Sequence, residues 1–368
     1  MVKVLNIICD TNIGGAGRVI LNYIRHSDRA VFKTAVCLPR GSLLVPPLKE
    51  LDAEVIEAPL APDRSFAPRD VGTLLGVIRR EKPDVVHTHG SLSGRIAARL
   101  AGVPVVYTRH SVFPVSQRLK KWPGRAIYKF LNESLADGII AVSPAAKENL
   151  VEAGVSPERV EVIMNGVVAV ARKSPEECAA FREKHGIAPG DFVVGIIARL
   201  EPCKGHADIL QALKILRDQG RNVKLIIAGA GSDEARVREL INTLGLEKDV
   251  IFLGFVEDVS QVLSVLDAQL NASWGTEATS LSLLEGMSMG LPAIVSDYGG
   301  NPHLIRDGEN GLVFPARNPE ALAAAIARCM DDRAMLQRLG QGAYRDWAER
   351  YNANIFAANT ENVYRRVL

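Results

Sequence analysis

Short apolar runs alternate with amphipathic stretches along almost the whole chain. VKVLNIIC at residues 2–9 reads as a buried strand, DTNIGGAG as a glycine turn, and Arg18–His26 as an amphipathic helix. The alternation continues through KTAVCLP, a helix ending near Leu51, AEVIEAP, a helix through Arg80 and PDVVHTHG. A helix at Leu92–Ala101, PVVYTRHS, a long basic helix, DGIIAVS and a helix from Pro144 follow. Strands apolar on both faces and separated by helices predict a parallel sheet covered on both sides.

VEVIMNGVVAVARKSPEECAAF reads as a crossing between domains: a strand, an Asn-Gly turn and a polar Lys-Ser-Pro stretch before a fresh alternation. The second series runs DFVVGIIARL, NVKLIIAGAG, DVIFLGFV, DAQLNAS and LPAIVSD. The tail from Gln341 to Leu368 is helical in pattern, with Trp347, Tyr351, Phe356 and Tyr364 as packing anchors. The fold class expected is α/β, two doubly wound domains in tandem. Such sheets bind ligands at the carboxyl ends of their strands. Gly14–Gly15, His87–His89 and Arg109–His110 all fall at such ends. The glycines at 14, 15 and 17 do not have the spacing of a dinucleotide fingerprint.

Composition narrows the class. The 368 residues suit two domains, and 47% hydrophobic with 23% charged content is that of a globular chain. The five cysteines lie apart at Cys9, Cys37, Cys178, Cys203 and Cys329 without metal-ligand spacing, the pattern of reduced thiols in a cytosolic protein. No stretch is long enough to span a membrane, and MVKVLNIICD is too short for a signal peptide. The net charge of +2 hides an asymmetry: 22 basic and 16 acidic side chains precede Gly166, out of 44 and 42 in all. A basic half and an acidic half predict different partners for the two domains.

The chemistry concentrates in NASWGTEATSLSLLEGMSMGLPAIVSDYGG, residues 271–300. It reads as a strand end, a polar loop, a helix starting near Thr279–Ser280 and a strand from Pro292 to Ser296. The loop and first turn offer backbone N–H groups and the positive end of the helix dipole to a phosphate. Glu277 precedes the helix and Glu285 lies within it. Ser282-x-x-Glu285 also fits a capping box, which needs the helix to begin at Ser282. Upstream, Arg199 stands at a strand's carboxyl end and Lys204 opens the next helix. A cation opposes the dipole there, and the placement makes sense if an anion sits between an Arg fork and a Lys point charge. Two carboxylates beside an anion site suit a nucleotide sugar.

Glu277 and Glu285, with seven residues between them and followed by Gly-Met-Ser-Met-Gly-Leu-Pro, resemble the E-x7-E signature of the large family of retaining GT-B glycosyltransferases (glycosyltransferase family 4, group 1). Arg199-Leu200 with Lys204-Gly205, the glycine loop at 14–15, Val-Val-His-Thr-His, the strand ending at His110, Asn165-Gly166-Val167, Ala228-Gly229-x-Gly231 and Phe252-Leu253-Gly254-Phe255-Val256 match as well. The resemblance covers nearly the whole chain. It implies a GT-B fold, two Rossmann-like domains facing across a cleft. Residues 1–167 would bind acceptor, residues 168–349 would bind nucleotide sugar, and a last helix from about 350 to 368 would cross back.

By the same resemblance, Glu285 would hold the ribose and Glu277 the sugar, with backbone at Ala278, Thr279, Ser280 and Leu281. Arg199 and Lys204 would take the diphosphate, Phe255 and Val256 the base, and Gly14 and Gly15 would line the cleft. His110 would contact the sugar near the reacting carbon. His110, Arg199, Lys204 and Glu277 form the catalytic set, with no metal and no cofactor beyond the nucleotide sugar itself. Two departures are Glu277-Ala278-Thr279 where the family often has Glu-Gly-Phe, and Val168 where an aspartate is usual.

The reading is a retaining, metal-independent hexosyltransferase using a nucleotide-diphosphate sugar, UDP-sugar favoured. The acceptor would be a sugar or a lipid-linked sugar in cell-envelope polysaccharide, lipopolysaccharide or glycolipid synthesis. A nucleotide-sugar epimerase and a non-catalytic nucleotide-sugar-binding regulator are the alternatives. Between Val85 and Asn132 there is no acidic residue, but there are Arg95, Arg99, Arg109, Arg118, Lys120, Lys121, Arg125 and Lys129, interleaved with Trp122, Ile127, Tyr128 and Phe130. Arg109, Arg118, Lys120, Lys121, Trp122 and Arg125 are the acceptor or membrane side, and the expected location is cytoplasmic, peripheral on the inner face of the membrane. Nucleic acid is not an expected partner.

Overall fold

A computed structural model describes residues 1–368 as two compact units, Met1–Gly166 with Ala353–Leu368, and Val167–Asn352. The first unit contains β1 (Val2–Ile8), α1 (Gly15–His26), β2 (Phe32–Pro39), α2 (Val45–Glu50), β3 (Glu54–Ala58), α3 (Pro68–Glu81) and β4 (Val85–His89). It continues with α4 (Leu92–Ala101), β5 (Val105–Arg109), α5 (Gln117–Lys120), α6 (Gly124–Ser134), β6 (Gly138–Ala141), α7 (Pro144–Glu152) and β7 (Val160–Val162). The seven strands are parallel in the order β3-β2-β1-β4-β5-β6-β7. Order reverses between β1 and β4, which opens a crevice at their carboxyl ends.

The second unit holds α8 (Pro175–Lys184), β8 (Phe192–Ile197), α9 (His206–Asp218), β9 (Val223–Ala228), α10 (Glu234–Thr243), β10 (Val250–Gly254), α11 (Ser260–Leu263) and β11 (Ala268–Asn271). After these come α12 (Leu281–Ser288), β12 (Ala293–Ser296), α13 (Asn301–Leu304), β13 (Gly311–Phe314), α14 (Pro319–Asp331) and α15 (Arg333–Asp346). Its six parallel strands run β10-β9-β8-β11-β12-β13, with the reversal between β8 and β11. Strand residues alternate between two cores: Phe192, Val194 and Ile196 pack on α9 and α14, while Val193 packs under α8 and α11.

The last helix, α16 (Ala353–Val367), belongs to the first unit. Tyr364 is fully buried there, edge-on to Tyr23 of α1, with its hydroxyl 2.6 Å from His87 Nδ1.

Three elements differ from the sequence reading, the first being the helical tail from Gln341, which is divided between α15, starting at Arg333, and α16. The basic stretch is two short helices, α5 and α6, because Pro123 disfavours helical backbone at Trp122 and Gly124 restarts the chain. β13 has no counterpart in the reading, since its four residues, GLVF, lie between polar turns and show no period.

Candidate functional site

In the second unit the reversal point places the loop after β8 beside the loop after β11. Several contacts weld them together. Trp274 N–H donates to the Cys203 carbonyl at 2.9 Å, and the Ser282 hydroxyl donates to the Ile197 carbonyl at 2.9 Å. Gly205 has φ +74, and a Cβ there would strike the Ala272 carbonyl, so only glycine lets the two loops close. Likewise, a Cβ on Gly299 or Gly300 would strike the carbonyls of Glu277 and Ala278.

Lys204 Nζ donates to Glu277 Oε2 at 2.9 Å, and both side chains are nearly buried. The same oxygen accepts from Asn271 Nδ2 at 3.2 Å and from the Ser273 hydroxyl at 3.0 Å. Asn301 in turn donates to Asn271 Oδ1 and to Ser296 Oγ. Arg199 is largely exposed and its Nη1 donates to Glu201 Oε1 at 2.5 Å. Cys203 Sγ lies 3.9 Å from Glu201 Oε2 and 3.8 Å from Thr276 Oγ1.

α12 starts at Leu281 with Ser280 as N-cap, its hydroxyl accepting from Leu283 N–H. The capping-box alternative at Ser282 is therefore not what forms. Glu285 sits just past the first turn, half-buried. Leu281 and Ser282 carry helix-start N–H groups without an intrahelical acceptor. Ala278 is buried and Thr279 half-buried. Phe255 is exposed, next to a half-buried Val256, just past Gly254 with φ +70 at the end of β10.

In the first unit, Gly14 caps α1 and Gly15 opens it. Neither has positive φ, and a Cβ on Gly15 would meet nothing within 4 Å. The fold itself does not demand glycine at 14 and 15, whereas at Gly17 a Cβ would lie 2.8 Å from Leu44. His110 follows β5, half-buried, its Nε2 2.8 Å from His89 Nδ1. Burial pushes its imidazole down to about 4, with the Arg109 charge beside it acting in the same sense. His87, by contrast, points into the core between Tyr364 and Thr108.

The basic stretch divides by function. Arg95 is buried against Tyr107 and bonded to Asn132, and Arg99 pairs with Asp137, so both serve the fold. Arg109 lies over Phe113 and donates to Asn149; Lys120 pairs with Glu152 at 2.5 Å. Arg118, Lys121 and Arg125 are exposed and have no carboxylate partner. Trp122 is 85% exposed and Phe130 67% exposed, with Ile127 and Phe113 also at the surface. These four side chains are surface groups and not core, whereas Tyr128 of the same stretch is half-buried. No helix is long and apolar enough to cross a membrane.

Sequence reasoning missed Asn271 and Ser273 as partners of Glu277, Glu201 as the partner of Arg199, and Asn6, whose Oδ1 lies 2.9 Å from His89 Nε2. Single polar residues at strand ends carry no spacing signal, although Glu201, Asn271 and Ser273 lie inside stretches already singled out.

Residues 13–169 match the family described as Glycosyltransferase Family 4, and residues 178–346 match that described as Glycosyl transferases group 1. The chain belongs to this glycosyltransferase family. Among its relatives is the UDP-Gal:alpha-D-GlcNAc-diphosphoundecaprenol alpha-1,3-galactosyltransferase of Escherichia coli, 28% identical over 90% of this chain and 81% of that protein. Another is the D-inositol 3-phosphate glycosyltransferase of Corynebacterium glutamicum, 27% identical over 80% and 75%. The Anabaena protein HepE, solved with UDP-glucose, superposes over 100% of both chains with TM-score 0.86 at 24% identity. A glycosyltransferase from Rickettsia africae covers 100% and 98% with TM-score 0.85 at 20% identity. This glycosyltransferase has the GT-B architecture of two Rossmann-like units.

Proposed function

We propose that the protein is a retaining glycosyltransferase that transfers a hexose from a nucleotide-diphosphate sugar, UDP-sugar favoured, without a metal ion. The acceptor is a sugar or lipid-linked sugar of cell-envelope polysaccharide, lipopolysaccharide or glycolipid synthesis. The observation that carries the reading is the Lys204–Glu277 pair, held with Asn271 and Ser273 at the reversal point and flanked by Arg199 and the start of α12. Lys204 has three N–H donors and spends one on Glu277, which leaves donors for a phosphate oxygen. Arg199 exchanges Glu201 for the diphosphate. The three bonds to Glu277 all arrive at Oε2, and Oε1 serves the sugar.

Charge developing on the departing diphosphate is stabilised by Arg199, Lys204 and the N–H groups of Ala278, Thr279, Ser280 and Leu281, the task that preorganised cations and helix ends perform best. Glu285 holds the ribose, backbone at Phe255 and Val256 the base, and Gly14 and Gly15 lie near phosphate and acceptor. His110 contacts the sugar. The acceptor attacks the same face from which the diphosphate leaves, and a phosphate oxygen takes its proton. The donor preference draws support from the UDP-galactose and UDP-glucose named for the relative and the structural neighbour.

A panel of UDP-, GDP- and ADP-sugars in a thermal-shift screen identifies the donor, because a bound ligand raises stability by mass action. Proton NMR of the product then gives the anomer. A β-linked product from an α-linked donor overturns retention, and a C2 epimer formed from donor alone overturns transfer.

The exposed Trp122, Ile127 and Phe130 beside Arg118, Lys121 and Arg125 dock this face on an anionic membrane surface, where the acceptor is met. Flotation with phosphatidylglycerol-containing liposomes at physiological salt carries the protein upward, and Trp122→Ala with Lys121→Glu abolishes it. Lipid-independent sedimentation of the unaltered protein overturns docking.

A further inference from the structure

We infer that His89, itself held by Asn6, sets where the proton sits on His110 and so presents His110 Nδ1 as a bare hydrogen-bond acceptor for a substrate hydroxyl. This rests on the reading of His110 as the side chain that meets the transferred sugar. His89 and Asn6 touch no substrate in this scheme and are positioning residues.

The three side chains come from neighbouring strands at the reversal point of the first sheet. Asn6 lies on β1, His89 is the last residue of β4, and His110 immediately follows β5. His89 Nε2 is 2.9 Å from Asn6 Oδ1, and His89 Nδ1 is 2.8 Å from His110 Nε2. A carbonyl oxygen can only accept, so His89 Nε2 carries a proton. A neutral imidazole has one N–H, so His89 Nδ1 is a lone pair and the proton of the second bond belongs to His110 Nε2. His110 then has nothing on Nδ1.

The ring centroids of His89 and His110 are 5.1 Å apart with planes 25° from parallel. That separation is the N···N distance plus one ring radius at each end, so the rings meet edge to edge along the hydrogen bond and are not stacked face on face. Both rings are kept neutral: burial drives His89 far down, and burial with the Arg109 charge drives His110 down. His87 takes no part, since Tyr364 and Thr108 occupy its two nitrogens.

The terminal group matters. A carboxylate in place of Asn6 would favour an imidazolium, as the third member of a hydrolytic triad does. An amide orients the ring without charging it. A cationic His110 would oppose the positive charge that builds on the sugar carbon as its bond to oxygen loosens. The neutral relay gives a fixed donor-acceptor pattern at no such cost.

The test is a long-range proton–nitrogen correlation spectrum of the full chain labelled with ¹⁵N-histidine, with His110 assigned through His110→Gln. The expected result is an Nε2-protonated, Nδ1-bare His110 across neutral pH. His89→Leu should convert it to a mixture of tautomers or let it titrate near the ordinary histidine range. Asn6→Asp keeps the acceptor oxygen, so the Nε2–H form should persist while His89 becomes easier to protonate. An Nδ1-protonated His110 in the unaltered protein overturns the inference, as does a His110 signature unmoved by His89→Leu. Asn6→Asp also serves where His89→Leu does not fold.

Hydrolysis of UDP-glucose adds a functional readout. His89→Leu should lower kcat roughly tenfold, the worth of one ordinary hydrogen bond, with KM for the donor changed less than about twofold. Turnover by the unaltered protein with an unmoved tautomer and unmoved kcat in His89→Leu sinks the relay alone. A tautomer that shifts as expected, in a protein inert toward every nucleotide sugar, sustains the relay and sinks the transferase reading of the site.

Discussion

Replacing Lys204 by methionine separates what the Lys204–Glu277 pair does for the fold from what it does for the reaction. Lys204 Nζ and Glu277 Oε2 are 2.9 Å apart, with side chains 12% and 8% exposed. Removing one partner of a buried pair leaves the other charge stranded, at about 3–5 kcal/mol. Asn271 and Ser273 still donate to the stranded carboxylate, which puts the expected loss at the lower end, about 3 kcal/mol. For a unit of this size that is a fall in Tm of about 6–12 °C.

Adding Glu277→Gln to Lys204→Met removes the stranded charge while the amide oxygen keeps the Asn271 and Ser273 bonds. The double variant should recover about 2 kcal/mol over the single one. Turnover should not recover with it. Loss of one charge-stabilising donor costs roughly 10²-fold in kcat, and the amide cannot replace the missing cation. Urea midpoints of the wild type, both single variants and the double variant, with initial rates on the identified donor, read both quantities. A Lys204→Met loss below about 1 kcal/mol, or a double variant no more stable than Lys204→Met, refutes the desolvated pair. Near-normal turnover in Lys204→Met and in Arg199→Ala refutes the role in catalysis.

Gly205→Ala forces a left-handed residue and a Cβ into the Ala272 carbonyl, so the loop carrying Lys204 must shift; kcat should fall at least tenfold, with about 1–2 kcal/mol or more lost in urea unfolding. Glu201→Gln frees Arg199 from its carboxylate, and an exposed pair worth up to about 1 kcal/mol translates into donor binding up to roughly fivefold tighter by calorimetry. Unchanged or weaker binding refutes the exchange of Glu201 for diphosphate. Burial pushes His206 down to about 4, so below the ordinary value of 6.5 the unfolded chain binds a proton that the folded chain refuses. Its contribution is present above 6.5 and lost as pH falls toward 4, and His87 and His110 act in the same direction. His206→Leu should therefore shrink the loss of stability between pH 8 and pH 5 by about 2 kcal/mol in paired urea titrations.

Period and punctuation along the chain suffice for the two parallel sheets. A strand buried on both faces must be apolar throughout, and the helices that cover it must be apolar along one stripe, so both leave local signatures. The loops at 199–205 and 271–280 are legible for a related reason: a cation just ahead of a helix start opposes the dipole, and a helix N-terminus with its free N–H groups lies beside Glu277, so both point to an anionic ligand. The resemblance to a two-domain glycosyltransferase family is carried by those same residues, and the family matches over residues 13–169 and 178–346 show the membership. Partners across the fold leave no such trace. That Lys204 is bonded to Glu277, that Ser273 and Asn271 share one of its oxygens, and that Glu201 holds Arg199 depend on how two loops of different strands meet. That His87 faces the core while His89 serves His110 is settled by strand pairing, which turns two residues of one strand to different neighbours. Local sequence specifies period and charge; which nitrogen faces which oxygen is fixed only when separate strands are brought side by side.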